Sequence, residues 1–129
     1  MNLGSESETV EFKKSTGEHK EALQAISAML NKHGRGELYF GVKDNGDVIG
    51  QDVSDATLRP GTSWVSDKIE PAVFPTVECL DADDGLRYIK IAFSGADAPY
   101  SADGRYFTRV GTSNKALSAS ELSAMVVKR

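Results

Sequence analysis

Apolar residues recur at two different periods along the chain. Ala22, Leu23, Ile26, Met29 and Leu30 fall three and four apart, which predicts a helix over residues 18–31 with one apolar stripe. Ser15-Thr-Gly-Glu18 supplies a capping-box start and Gly34 a left-handed stop. A short strand is predicted within residues 6–14, around Thr9, Val10 and Phe12. Glu37 to Val42 reads as a buried strand, and Asn45-Gly46 suits a hairpin loop returning through Asp47 to Gly50. Thr62 to Ile69 predicts a second helix, broken by Pro71 and Pro75. Val77–Ala82 and Leu86–Phe93 alternate as two strands about the turn Asp83-Asp84-Gly85. Arg105–Val110 is a further strand, and Ser118-Ala-Ser-Glu121 caps a last helix running to Arg129. Helices and paired strands mix without a regular βαβ rhythm. The expectation is therefore an α+β fold: a mixed or antiparallel sheet with hairpins, packed against two to three helices.

The 129 residues fit one domain, and the composition (40% hydrophobic, 26% charged) is that of a globular protein. The single cysteine, Cys79, excludes an internal disulfide, and its apolar neighbours place it in the core. His19, His33 and Cys79 form no spaced zinc set, and neither histidine has a Ser or Asp partner evident in sequence. No stretch approaches the ~20 apolar residues of a membrane span. The polar, acidic N-terminus is unlike a signal peptide, so the expected compartment is cytoplasmic. A net charge of −4 argues against a uniform nucleic-acid clamp but is compatible with a local basic patch.

Three groups of residues carry candidate chemistry. Gly34-Arg35-Gly36 is either a phosphate contact through exposed amides and Arg35 or a tight helix-to-strand turn, and spacing alone favours the turn. No Gly-Lys-Ser/Thr follows it, which excludes a Walker loop. Glu6, Glu8, Glu11 and Asp44 form an acidic set; strand alternation puts Glu6 and Glu8 on one face and Glu11 on the other. Such carboxylates hold a divalent metal in some sites and form a solvated acidic strand in many others. The basic scatter is Lys13, Lys14, Arg35, Arg59, Lys68, Arg105, Arg109 and Lys115. Arg105 and Arg109 flank Tyr106 and Phe107, a mix suited to phosphate contact and stacking. Those two aromatics point to opposite faces of their strand, so at most one is exposed there.

The ordered set Glu6-Ser7, Glu11-Phe12-Lys13, Asn31, Gly34, Gly36, Leu38 to Val42, Asp44, Gly46 and Ile49-Gly50 resembles the Schlafen-type AlbA-2 domain. So do Ala98-Pro-Tyr100, Gly104 to Gly111 and Ser118 to Glu121, and the likeness runs over about residues 5–127. Two positions depart from the pattern: Lys43 stands where Asp is common, and Gly34-Arg-Gly36 is one residue longer than the usual Gly-Gly. The resemblance implies an α+β domain that binds DNA or RNA in bacterial transcriptional regulators. It implies the N-terminal part of a longer protein with ATPase-like and winged-helix regions downstream. It also implies an alternative, a Mg- or Mn-dependent endoribonuclease whose acidic triad maps to Glu6, Glu11 and Asp44. The leading expectation is a non-catalytic, cofactor-free binding module using Lys13, Lys14, Arg35, Arg105, Arg109 and Lys115. A dimerisation or protein-interaction module is the third reading, and the acidic net charge is its support.

Overall fold

The computed structural model describes residues 1–54 and 63–128. Strand β1 (Val10–Lys13) is followed by a 3-10 turn and helix α1 (His19–His33), then β2 (Arg35–Phe40). A helical stretch over residues 63–68, here α2, leads into β3 (Ile69–Glu70). Then come β4 (Thr76–Asp81), β5 (Arg87–Ser94), β6 (Ser101–Ala102), β7 (Arg105–Val110), β8 (Ser113–Ala116) and α3 (Ala119–Lys128). There are two four-stranded sheets, β1-β2-β5-β4 and β3-β6-β7-β8, and every pairing is antiparallel except that of β1 with β2. The fold is α+β as the sequence implies, with a single βαβ unit, β1-α1-β2, inside it.

Helix α1 packs against both sheets, touching β2 on one side and β7 on the other. That position explains why Ala22, Leu23 and all of Ala25 to Leu30 are buried, a band wider than one amphipathic stripe. Leu38, Phe40, Ile89, Ile91 and Phe93 from the first sheet close over it with Trp64, Val65, Tyr100 and Phe107. Gly36 is needed where α1 crosses β2 and β5, since a Cβ there would collide with Met29 Sδ and the Phe93 ring. The opposite face of the first sheet carries a smaller cluster of Phe12, Tyr88, Val42, Val48 and Ala82.

Several sequence expectations need correction. Strand β1 starts only at Val10, because Ser7 and Val10 exchange backbone hydrogen bonds in a turn. The alternation argument for Glu6, Glu8 and Glu11 therefore fails. Residues 47–50 do not add a strand. Both edges of β2 are already taken by β1 and β5, so the return is reduced to a Val42–Val48 bridge and bonds to Gly41 O from Ile49 and Gly50 N–H. Cys79 is half-buried on β4 at the sheet edge, not in the core. Thr62 and Arg59 lie outside the described residues. Two of the three expected caps form: Gly34 adopts φ 73° and donates to Met29 O and Leu30 O, while Ser118 and Glu121 exchange reciprocal hydrogen bonds. The Ser15–Glu18 box does not: Ser15 Oγ accepts the Gly17 N–H in the 3-10 turn, Glu18 accepts the Lys14 N–H, and α1 starts after it at His19. Phe107 is buried and Tyr106 half-buried, on opposite faces as alternation requires.

Candidate functional site

Glu6, Glu11 and Asp44 share a neighbourhood because the chain folds back at Ser7–Val10, although strand alternation sets Glu11 on the face opposite Glu6. Glu6 accepts the Phe12 N–H at 2.9 Å. Burial raises its carboxyl above the usual range and the Phe12 N–H opposes this; the charges of Glu11 and Asp44 push it further up. Glu11 is 3% exposed, and its Oε1 lies 2.6 Å from Arg109 Nη1. Its Oε2 has no hydrogen-bond partner and sits 3.3 Å from the Lys13 ammonium. Asp44 is exposed in the turn after Val42. A divalent ion needs free carboxylate oxygens arranged around it. Among the described residues no group of three or more His, Cys, Asp or Glu is arranged to hold one. Glu11 is already committed to two cations, so this set does not fit Mg or Mn.

The basic residues divide in two. Arg109 is fully buried, which corrects its expected role as a phosphate contact. Its guanidinium donates to Glu11 Oε1, to Asn114 Oδ1 at 2.7 Å and to Ser7 O at 2.9 Å, joining the second sheet to β1. Lys13 is occupied by Glu11 and only 18% exposed. Lys14, Arg35, Arg105 and Lys115 are exposed and form no ion pair among the described residues, although the Lys115 charge reaches the Glu121 carboxyl. They are not one patch. Arg35 opens onto a groove of about 370 Å³ over β2 and β5, beside Lys90 and the 88%-exposed ring of Phe74. Lys115 lies on β8, opposite Thr108. Arg105 borders a small pocket between β7 and the first turns of α1.

Sequence reasoning missed three positions. Lys20 faces the pocket beside Arg105, which no local pattern announces. Lys32 and His33 at the end of α1 clasp Glu8, at 2.8 Å and 2.7 Å, and Glu8 also accepts the Gly111 N–H at 2.7 Å. The hydrogen bond from Lys32, then those from Gly111 and His33, hold the Glu8 carboxyl down at about 2. The folded protein thus binds this proton less readily than the unfolded chain does. The clasp's contribution to stability is complete above about pH 4.5 and is lost as pH falls toward 2. A carbon-13 NMR titration should place Glu8 near the lower limit, with Gly111 amide exchange quickening on acidification. An ordinary midpoint for Glu8 would show the clasp to be absent in solution.

Asn31, singled out by sequence, turns out to be a joint. Its Oδ1 accepts Tyr100 N–H at 2.6 Å, and its Nδ2 donates to Tyr100 O at 3.0 Å and Phe107 O at 2.8 Å. Ser27 Oγ, one turn earlier, donates to Tyr100 O and accepts Phe107 N–H. Together they fasten the second sheet along α1. This places Arg105 beside the start of the helix and Arg109 beside its end.

A protein-family model described as Schlafen, AlbA_2 matches residues 6–118. The chain belongs to the Schlafen AlbA_2 family. No curated protein matches it. Among solved structures, the DIP2311 protein from Corynebacterium diphtheriae is similar over 92% of this chain, at 25% identity with a TM-score of 0.64. This AlbA_2 chain spans only 23% of that protein. The N-terminal domain of a protein from Nitrosomonas europaea described as ATP-dependent DNA helicase RecG-related shares the fold, at 21% identity and a TM-score of 0.53. There the match covers 82% of this chain and 80% of that domain. Among the described residues no helix is long and apolar enough to cross a membrane.

Proposed function

We propose that this AlbA_2 domain is a non-catalytic, cytoplasmic nucleic-acid-binding module of a transcriptional regulator, holding DNA or RNA through its phosphates. The observation that carries this reading is the division of the cations. Arg109 and Lys13 are consumed inside the fold, whereas Lys14, Arg35, Arg105 and Lys115 stand exposed without an ion pair among the described residues. An acidic chain of net charge −4 gains little from general attraction, so binding depends on these local cations. The fold that this domain shares with the N-terminal domain of a DNA helicase RecG-related protein is in keeping with the reading. Fluorescence anisotropy with labelled single- and double-stranded DNA and RNA tests it. Each neutralised phosphate contributes a slope of roughly −0.7 to −0.9 in log K against log salt, so four cations give a slope no steeper than about −4. Absence of binding to every oligonucleotide at low salt would remove the reading.

A second reading has one observation of its own. Helix α3 buries no residue, and Leu122, Met125 and Val126 lie three and four apart along it. Such a face suits an interaction or dimerisation module. Light scattering with and without oligonucleotide separates the two.

A further inference from the structure

We infer that the corner formed by Lys20 and Arg105, with Lys68 at its edge beside Asp103, is a docking site for one backbone phosphate of a bound nucleic acid. The inference rests on the nucleic-acid reading above and gives it a place on the fold. Sequence separates these residues widely; three contacts bring them together. Ser27 and Asn31 hold Phe107 against α1, so β7 runs beside the helix and Arg105 comes next to Lys20. The Asp103 N–H donates to Lys68 O at 2.8 Å, which ties the β6–β7 turn to the end of α2. Asp103 takes φ 50° and Gly104 φ 83°, the backbone that reverses the chain there in two residues.

The charges at this corner do not cancel. Among the described residues Asp103 is the one carboxylate lining the pocket, and Lys68 approaches it at 3.8 Å. Lys20 and Arg105 have no acidic partner among the described residues. Glu21 and Asp67 adjoin Lys20 and Lys68 in sequence but do not line the pocket. Lys68 does not line the pocket either and offsets Asp103 from its edge, so Lys20 and Arg105 leave a local surplus of positive charge on a chain whose net charge is −4. The Arg105 guanidinium carbon lies 5.5 Å above the Phe107 ring, a cation–π contact that orients the group and leaves its N–H donors free. Gln24 adds an amide to the wall.

Size decides what enters. The pocket holds about 70 Å³, room for roughly two waters. A nucleobase does not fit, whereas the oxygens of one phosphate do. Recognition here is therefore of backbone and not of sequence.

The test uses the 129-residue chain, a labelled oligonucleotide and inorganic phosphate. Lys20→Gln with Arg105→Gln removes two exposed charges and should leave the circular dichroism spectrum unchanged. It should weaken oligonucleotide binding at least tenfold at low salt and flatten the salt slope by about 1, the share of one phosphate. Lys43→Gln with Arg87→Gln removes as much charge elsewhere and should change affinity less than threefold. Equal losses in both pairs, or none in the first, would refute the site while leaving nucleic-acid binding intact. If the wild-type chain binds no oligonucleotide, yet inorganic phosphate shifts the amide signals of Ala102 to Arg105, both the nucleic-acid reading and this proposal fail. The pocket would then be a site for free phosphate.

Discussion

Arg109→Met is expected to destabilise the domain by about 3 kcal/mol, read from urea unfolding, because it leaves the buried Glu11 carboxylate with only Lys13 beside it. Arg109 is fully buried and the Glu11 side chain is 4% exposed, so neither charge has water to fall back on. The guanidinium also satisfies Asn114 and the Ser7 carbonyl, which lose their partner with it. Glu11→Gln should cost less than Arg109→Met, since the amide oxygen still accepts from Arg109. Replacing both partners, Glu11→Leu with Arg109→Met, should recover part of the loss, because two apolar side chains leave no buried charge unpaired. Single variants that lie within 1 kcal/mol of wild type would show that the pair is dispensable. The same argument bears on catalysis. Glu11→Ala cannot by itself test a ribonuclease, as lost cleavage would follow from lost structure. Asp44→Asn, in an exposed turn, is the cleaner variant for that purpose.

Much of this fold is legible in the chain, and what is not has a topological cause. Local patterns suffice for α1, β7, the β4–β5 hairpin and the caps at Gly34 and Ser118, because each is set by neighbours within a few residues. The Asn45-Gly46 turn is also legible, yet the strand expected after it does not form. Hairpin chemistry is local, whereas a free edge on β2 is not; β1 and β5 occupy both edges. The site was harder to read for the same reason. Arg109 and Lys115 look alike in sequence, both basic residues near the β7–β8 turn. The inward face of β7 meets Glu11 across nearly the whole chain, and nothing within ten residues of Arg109 announces that. Strand alternation sets Glu6 and Glu11 on opposite faces, whereas the turn at Ser7–Val10 brings them near each other. Lys20 carries no signal at all until α1 and β7 are laid side by side.

Asn31→Asp should also destabilise strongly, by about 2–4 kcal/mol at neutral pH, although it changes a single group and almost no volume. The Oδ1 position still accepts the Tyr100 N–H. The other oxygen, however, replaces an N–H₂ that donates to Tyr100 O at 3.0 Å and Phe107 O at 2.8 Å, so a negative charge faces two carbonyls. Such a carboxyl holds its proton more tightly folded than unfolded, since only the protonated form can donate. Stability then falls as pH rises through its titration, and acidification should narrow the gap to wild type. Asn31→Leu should show a comparable loss with no such pH dependence, having no proton to gain. The cost should be local as well as global, because Asn31 and Ser27 fasten β6 and β7 to α1. Amide exchange at Tyr100 and Phe107 should quicken more than at Ile89 and Ile91, whose N–H groups belong to the first sheet. Uniform quickening across both sheets would mean that the two halves unfold as one unit and that Asn31 is not the joint between them.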